Sequence, residues 1–319
     1  MAKASTGIQR LKSNRKPVSR KTKRLIFYIC VLILPLIQFA IFYIYVNFNS
    51  IIMAFSTYED NGFGYTQQFG FQYFIENMRK VFETFKEKPY LITNSLILFF
   101  FDVVLGLPLA VIFSYYIYKK RPMSKIFRVT LFMPQIISGV VFASIYSYLL
   151  SAIGSAFGNP ELNLLSASAG VAKNRLAMIL FSVAMSFGVN VLLFSGSMGN
   201  INPSLIEASE LDGCNSTQEF FHVVIPSIFP TIISFVIIGL AGIFSNQMFL
   251  AHIKISHHEL DTIGYFLYYQ AAASDYITKS NTILNYPQLS CISLLITVIL
   301  FPLTIGVKKL LEKYGPSTK

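Results

Sequence analysis

The chain has 319 residues, 54% hydrophobic and only 13% charged, with 26 Lys and Arg against 15 Asp and Glu for a net charge of +11. A charged share of roughly half that of soluble domains, beside 30 Phe and 18 Tyr, excludes an ordinary water-soluble enzyme, a disordered chain and a disulfide scaffold. It points to an all-α polytopic membrane protein.

In chain order, residues 1–24 form a basic tail carrying nine Lys and Arg. The first apolar run, 25–46, follows it and ends in the bulky Val46-Asn47-Phe48, where a cleaved signal peptide would need small residues, so it reads as a retained anchor. Residues 57–88, with Phe71, Tyr73, Phe74, Phe82 and Phe85 at mixed helical spacing, read as a short amphipathic helix near the membrane surface. Five further runs, 91–118, 129–150, 176–198, 223–250 and 289–307, are each of the length that crosses a core of about 30 Å. None of the six contains Lys or Arg, and Asp102 is their only acid. The organisation expected is one transmembrane domain over 25–307 between two tails, 1–24 and 308–319.

The basic residues sort by side. Residues 1–24, 119–128, 199–222 and the tail after 307 alternate onto one face and hold 18 of them, and the other face holds eight over longer loops. The positive-inside rule places both termini in the cytoplasm. Charge gathered beside membrane ends is explained by topology and anionic lipid, not by nucleic acid.

The segment 202–222 between the fourth and fifth runs has no Lys or Arg at all. Ser204 with Glu207, and Ser216 with Glu219, have the spacing of capping boxes, so each is expected to start a short helix. Asp212-Gly213 between them reads as a corner, with Gly213 free to take positive φ, and Pro226 suits the first turn of the fifth span. A Lys-free loop on the otherwise basic face points to a surface for a protein partner.

At these residues the sequence resembles the inner-membrane permease subunits of ABC importers. Glu207-Ala208-Ser209 stands for the family's Glu-Ala-Ala, Gly213 for its Gly, and Val223-Val224-Ile225-Pro226 for the ending, with the spacing intact. Asp212 with Gly213, and Phe220 before the Pro, look like the carbohydrate (maltose-type) branch. The likeness runs over roughly 70–310 and includes Asn94-Ser95, Gly106-Leu107-Pro108, Arg128, Phe132-Met133-Pro134 and Ile263-Gly264-Tyr265. Ser209 replaces the second Ala, Cys214 replaces the usual Ala, and the Gly-Gly-Pro often found after span five is absent from 246–256. The resemblance implies a type I ABC importer permease fold of six transmembrane helices in a bacterial plasma membrane, with 200–222 as the loop that couples to the ATPase. It implies a second permease, two ATPase subunits and an extracellular or periplasmic substrate-binding protein as partners. ATP and magnesium would belong to the ATPase, leaving no cofactor in this chain.

The sequence has no Gly-Lys dipeptide, so the phosphate-cradling loop of an ATPase is missing, and no hydrolase motif occurs. His252, His257, His258, Glu259 and Asp261 form the one metal-like cluster, without helical ligand spacing. Asp102 costs about +3 kcal/mol on insertion, which the apolar residues around it offset at roughly −7 kcal/mol, and is expected either in the substrate pathway or hydrogen-bonded to a neighbouring helix. Asn190, Ser245, Asn246 and Gln247 are the amides and hydroxyl that could meet a sugar. An ion-coupled secondary transporter is the alternative reading; it would call for several intramembrane ionisable groups, where only Asp102 stands.

Overall fold

In the computed structural model the described residues are 19–60, 65–159, 162–245, 253, 258–274 and 285–316. The chain divides into two units, 1–52 and 53–319. The elements in order are α1 (Arg20–Ala54), β1 (Ser56–Asp60), β2 (Tyr65–Phe69), α2 (Phe71–Glu87), α3 (Tyr90–Tyr118), α4 (Ser124–Ile136) and α5 (Gly139–Ala156). They continue with α6 (Gly170–Gly199), α7 (Pro203–Leu211), α8 (Ser216–Ala241), α9 (Ile263–Ser274) and α10 (Tyr286–Tyr314). Six of these helices, α1, α3, α5, α6, α8 and α10, are long and apolar enough to cross a membrane. The first unit holds most of α1, and none of Arg20–Phe39 is buried.

Between α1 and α3 the structure corrects the sequence reading. The single amphipathic helix expected over 57–88 is an antiparallel hairpin, Ser56 opposite Phe69 and Asp60 opposite Tyr65, followed by α2. Asn77 of α2 is buried and donates through Nδ2 to the carbonyls of Ala54 (3.2 Å) and Ser56 (2.9 Å), which ties the hairpin's first strand to the helix. The aromatic spacing was genuine but belongs to α2, whose Phe74 stacks on Phe55 at 4.5 Å.

The third span differs too. The apolar run 129–150 is not one helix: α4 stops at Ile136, Ile137 and Ser138 are extended, and the membrane-length helix α5 begins at Gly139. Pro134 removes a backbone donor near the end of α4, and Ser138-Gly139 favours a fresh start. Hydropathy registers the side chains and is blind to that backbone break. The fourth span starts earlier than expected, at Gly170, and takes Lys173 and Arg175 into its first turns.

Spans two, four and five share one core: Ala110, Val111 and Ile117 of α3, Val191, Phe194 and Met198 of α6, and Val224 and Ile228 of α8. Ser114 Oγ donates to the Val191 carbonyl at 2.9 Å across the first pair, and Ser197 and Thr231 hydroxyls meet at 2.7 Å across α6 and α8. Gly188 lets α4 lie directly on α6, since a Cβ there would collide with the Leu131 carbonyl oxygen. Gln135 Nε2 donates to the Met185 carbonyl on the same seam. Small residues and single interhelical hydrogen bonds are how helices associate in lipid, where burial alone gives no preference.

Three wide, π-type turns interrupt the spans: Ala40–Tyr45 in α1, Asp102–Gly106 in α3 and Phe220–Val224 in α8. The latter two lie just upstream of a proline, Pro108 and Pro226. A proline ring collides with the carbonyl four residues back, and widening the preceding turn relieves that collision without ending the helix.

Candidate functional site

The loop between α6 and α8 is built from a few local decisions. Asn202 precedes Pro203, which pushes it out of helical geometry (φ −60°, ψ 122°), so it becomes the N-cap and accepts from the Ser204 N–H at 3.1 Å. α7 ends in a Schellman corner. Gly213 takes φ +77°, its N–H donates to the Glu210 carbonyl (3.1 Å), and the Cys214 N–H donates to the Ser209 carbonyl (3.0 Å). Asn215 then caps α8 reciprocally with Gln218, at 2.8 and 2.9 Å.

Both capping boxes read from the sequence are therefore displaced. The caps are Asn202 and Asn215, not Ser204 and Ser216, and Glu207 stands exposed instead of reaching back to a cap. The second loop helix is also not separate, because it runs through the wide turn at Phe220–Val224 into the fifth span as α8. Pro226 sits in the first α-turn after that wide turn.

With Gln218 serving as the cap, Glu219 is free to turn inward. It is 3% exposed, and its Oε2 lies 2.7 Å from Nζ of Lys119, the residue just past the end of α3. Glu210 Oε1, on a largely exposed side chain, is 3.6 Å from the same ammonium. Arg121 Nη2 donates to Ser216 Oγ (3.2 Å), Tyr115 Oη donates to the Ser216 carbonyl (3.0 Å), and the Tyr115 ring lies 4.9 Å from that of Phe220. Burial pulls the Lys119 proton affinity down, but the hydrogen bond and attraction of Glu219, with Glu210 adding, outweigh it and hold Lys119 above the ordinary lysine range. Sequence reasoning counted the loop as free of cations and missed this one, because Lys119 comes from another segment.

The residues of the spaced signature divide by face. Glu207, Ala208, Asp212 and Gly213 are exposed, as is Leu211 at 89%, while Ser209 is buried and donates to the Ile206 carbonyl. A buried position on a nine-residue helix explains why only a small side chain fits where the signature has Ala.

Of the pathway candidates, Asp102, Asn190 and Ser245 are among the described residues. Asp102 lies at the start of the wide turn in α3 and accepts from Ser182 Oγ (3.3 Å) and Ser186 Oγ (3.4 Å) of α6. Asn190 is buried in α6 with Nδ2 lacking a hydrogen-bond partner among the described residues. Ser245 is exposed and donates to the Gly242 carbonyl. Asn246 and Gln247 lie outside the described residues, as do His252 and His257. Among the described residues no three His, Cys, Asp or Glu come together to hold a metal.

At the far end of α3, Asn94 Nδ2 donates to the carbonyls of Glu259 (2.8 Å) and Asp261 (3.0 Å), and Ser95 Oγ accepts from the Ile263 N–H (3.1 Å). Arg175 of α6 donates to Asn94 Oδ1 at 3.4 Å. Asn94-Ser95 thus fastens the segment entering α9, joining two parts of the resemblance that lie far apart in sequence.

The family model for binding-protein-dependent transport system inner membrane components matches residues 92–317. The multiple sugar-binding transport system permease protein MsmF of Streptococcus mutans is 26% identical over 295 residues, 89% of this chain and 94% of that protein. The arabinooligosaccharides transport system permease protein AraP of Halalkalibacterium halodurans is 27% identical over 122 residues, 37% of this chain and 39% of its own length. A chain from a bacterial ABC transporter involved in the import of the acidic polysaccharide alginate superposes with a TM-score of 0.67 at 18% identity, over 92% of this chain and 98% of that one.

Proposed function

The chain belongs to the family of binding-protein-dependent transport system inner membrane components, and from that premise we propose that it is the permease subunit of an ATP-binding-cassette importer for a sugar or oligosaccharide. It is a multi-pass protein of the cell membrane and a non-catalytic subunit. The sugar class is supported by relatives named for multiple sugars and arabinooligosaccharides. Both termini and the loop 200–222 face the cytoplasm in this reading, and the loop docks on one of two ATPase subunits, which hold ATP and magnesium and push on it as they close.

The observation that carries the proposal is the construction of that loop. Two capped helices meet at a left-handed glycine, and Glu207, Ala208 and Leu211 are left exposed on the outer side. Rigid, short and unoccupied on one face, it suits docking into a partner. Six spans make half of a pathway, so a second permease completes it, and a substrate-binding protein delivers the sugar from outside. One structure of similar fold is a bacterial alginate ABC transporter in complex with an alginate pentasaccharide-bound periplasmic protein. Asp102, Asn190, Ser245, Asn246 and Gln247 are the proposed polar contacts along the way.

Purification from mild detergent followed by reconstitution tests the reading. An ATPase and a second permease should co-elute, and reconstituted vesicles should take up labelled oligosaccharide only with ATP and the binding protein. Elution as a lone chain whose uptake collapses with a proton ionophore would replace it with ion-coupled transport.

A further inference from the structure

We propose that Lys119 is a positioning residue: the joint through which the loop between the fourth and fifth spans moves the second span. This rests on the importer reading above. The two carboxylates facing Lys119 stand on opposite sides of the Gly213 corner, Glu210 in the last turn of α7 and Glu219 in the first turn of α8. One ammonium thus meets both arms of the corner, and it is the second arm, through Glu219, that it holds to the end of α3.

The two partners are unequal. Glu210 is solvated and contributes little to holding the loop. Glu219 is 3% exposed, its Oε2 is 2.7 Å from Nζ, and its Oε1 is buried with no hydrogen-bond partner among the described residues. A buried pair of this kind adds little net stability compared with apolar side chains, whereas losing one member leaves an uncompensated charge. What it supplies is a fixed direction. Arg121 and Tyr115 add two hydrogen bonds from the end of α3 to Ser216, so the first turn of α8 is fastened to the second span at three side chains.

The wide turn at Phe220–Val224 starts immediately after Glu219. Turns of this π type are where helices kink, and they are frequent at functional sites. Displacement of the loop therefore passes first into α3 through Lys119, and only through a compliant turn into the rest of α8. Within α3 it travels along Leu107–Tyr118, the stretch packed on α6, up to the second wide turn at Asp102–Gly106. The loop and the lower half of the second span move as one body.

The test uses the complete transporter, with its partner permease, ATPases and binding protein, in proteoliposomes, and reads sugar transported per ATP hydrolysed. The informative variant is the double Lys119→Gln/Glu219→Gln, which removes both charges and leaves neither buried alone. It should insert and go on hydrolysing ATP, with transport per ATP down about tenfold. Lys119→Arg should restore most of the ratio, and Glu210→Gln should cost no more than about twofold. A double variant that transports at the wild-type ratio would overturn the proposal. So would one that is absent from the membrane, since the pair would then be a folding element only. Loss of the ATPase subunits from an otherwise assembled variant would support it, as a mispositioned loop. If the wild-type complex itself shows no ATP-driven uptake, it is the importer reading that fails.

Discussion

Replacing Gly213 with Val isolates the backbone of the loop from its contacts. Gly213 holds φ +77°, and a Cβ built there meets nothing within 4 Å, so the penalty is conformational and not steric. A side chain in the left-handed region costs roughly 1–2 kcal/mol, more for a β-branched residue. Against the whole bundle that is small, and the protein should insert and pair normally. Against α7 it is large. A nine-residue helix is shorter than the ~12–15 residues at which isolated helices become marginal, and it relies on the Asn202 cap, the corner and the burial of Ser209. A loss of 1–2 kcal/mol shifts its ordered-to-frayed ratio by about 5- to 30-fold. Transport per ATP should fall for Gly213→Val, fall less for Gly213→Ala, and stay near wild type for Gly213→Asn, because Asn tolerates this region. Measuring the ratio in reconstituted vesicles with ATPase occupancy quantified separates uncoupling from dissociation. A Val variant that couples normally, or an Asn variant as defective as Val, would refute the conformational argument.

Other expectations rest on separate observations. Gly188→Ala drives a methyl group against the Leu131 carbonyl and should lower the melting temperature of the detergent-solubilised protein by an amount equivalent to about 1–3 kcal/mol, while Gly196→Ala, with open space around it, should not. Asp102→Asn keeps one acceptor oxygen and presents an amide donor that the other serine hydroxyl can turn to accept, so it should melt close to wild type, whereas Asp102→Leu should lose about 0.6–1.7 kcal/mol; a pathway role predicts a transport defect in the Asn variant, and normal transport would leave Asp102 a helix–helix contact only. An impermeant thiol reagent should label Lys86→Cys in intact cells and leave Cys214 untouched until the membrane is opened, and the reverse pattern would invert the topology. Because the Lys119 proton is held above the ordinary lysine range, its ion pair is intact below that range and is lost only as pH rises through the raised value, so transport per ATP should show no Lys119-dependent fall between about pH 6 and 9. A fall there that Lys119→Arg abolishes would contradict the ion pair.

What could be read in advance was whatever a single segment decides alone. Apolar runs of membrane length become helices because lipid leaves the backbone no other partner, and all six runs contribute a spanning helix. Gly213 was legible because the left-handed corner is a local demand. The errors came where two local solutions compete or where the decision is made at a distance. Asn202 and Ser204, or Asn215 and Ser216, are both capable caps; Pro203 settles the first by forcing its predecessor out of the helix, and in the second the Asn215–Gln218 box leaves Glu219 to meet Lys119. The break at Ile137–Ser138 is a matter of dihedral angles inside an unbroken apolar run. The hairpin before α2 had a sequence signal that went unread, the Asn61-Gly62 pair in the stretch between its strands. Lys119 was hidden most completely: counted by topology it is one of five cations that orient the chain, and only packing α3 beside the loop makes it the counter-charge of Glu219. A loop read as purely acidic keeps exposed acids on its outward surface, beside Ala208 and Leu211, while its one buried acid, Glu219, meets a cation from the end of the second span. In the importer reading, a partner pushing on that outward surface would act, through Glu219 and Lys119, on a helix to which the loop is not directly joined in sequence.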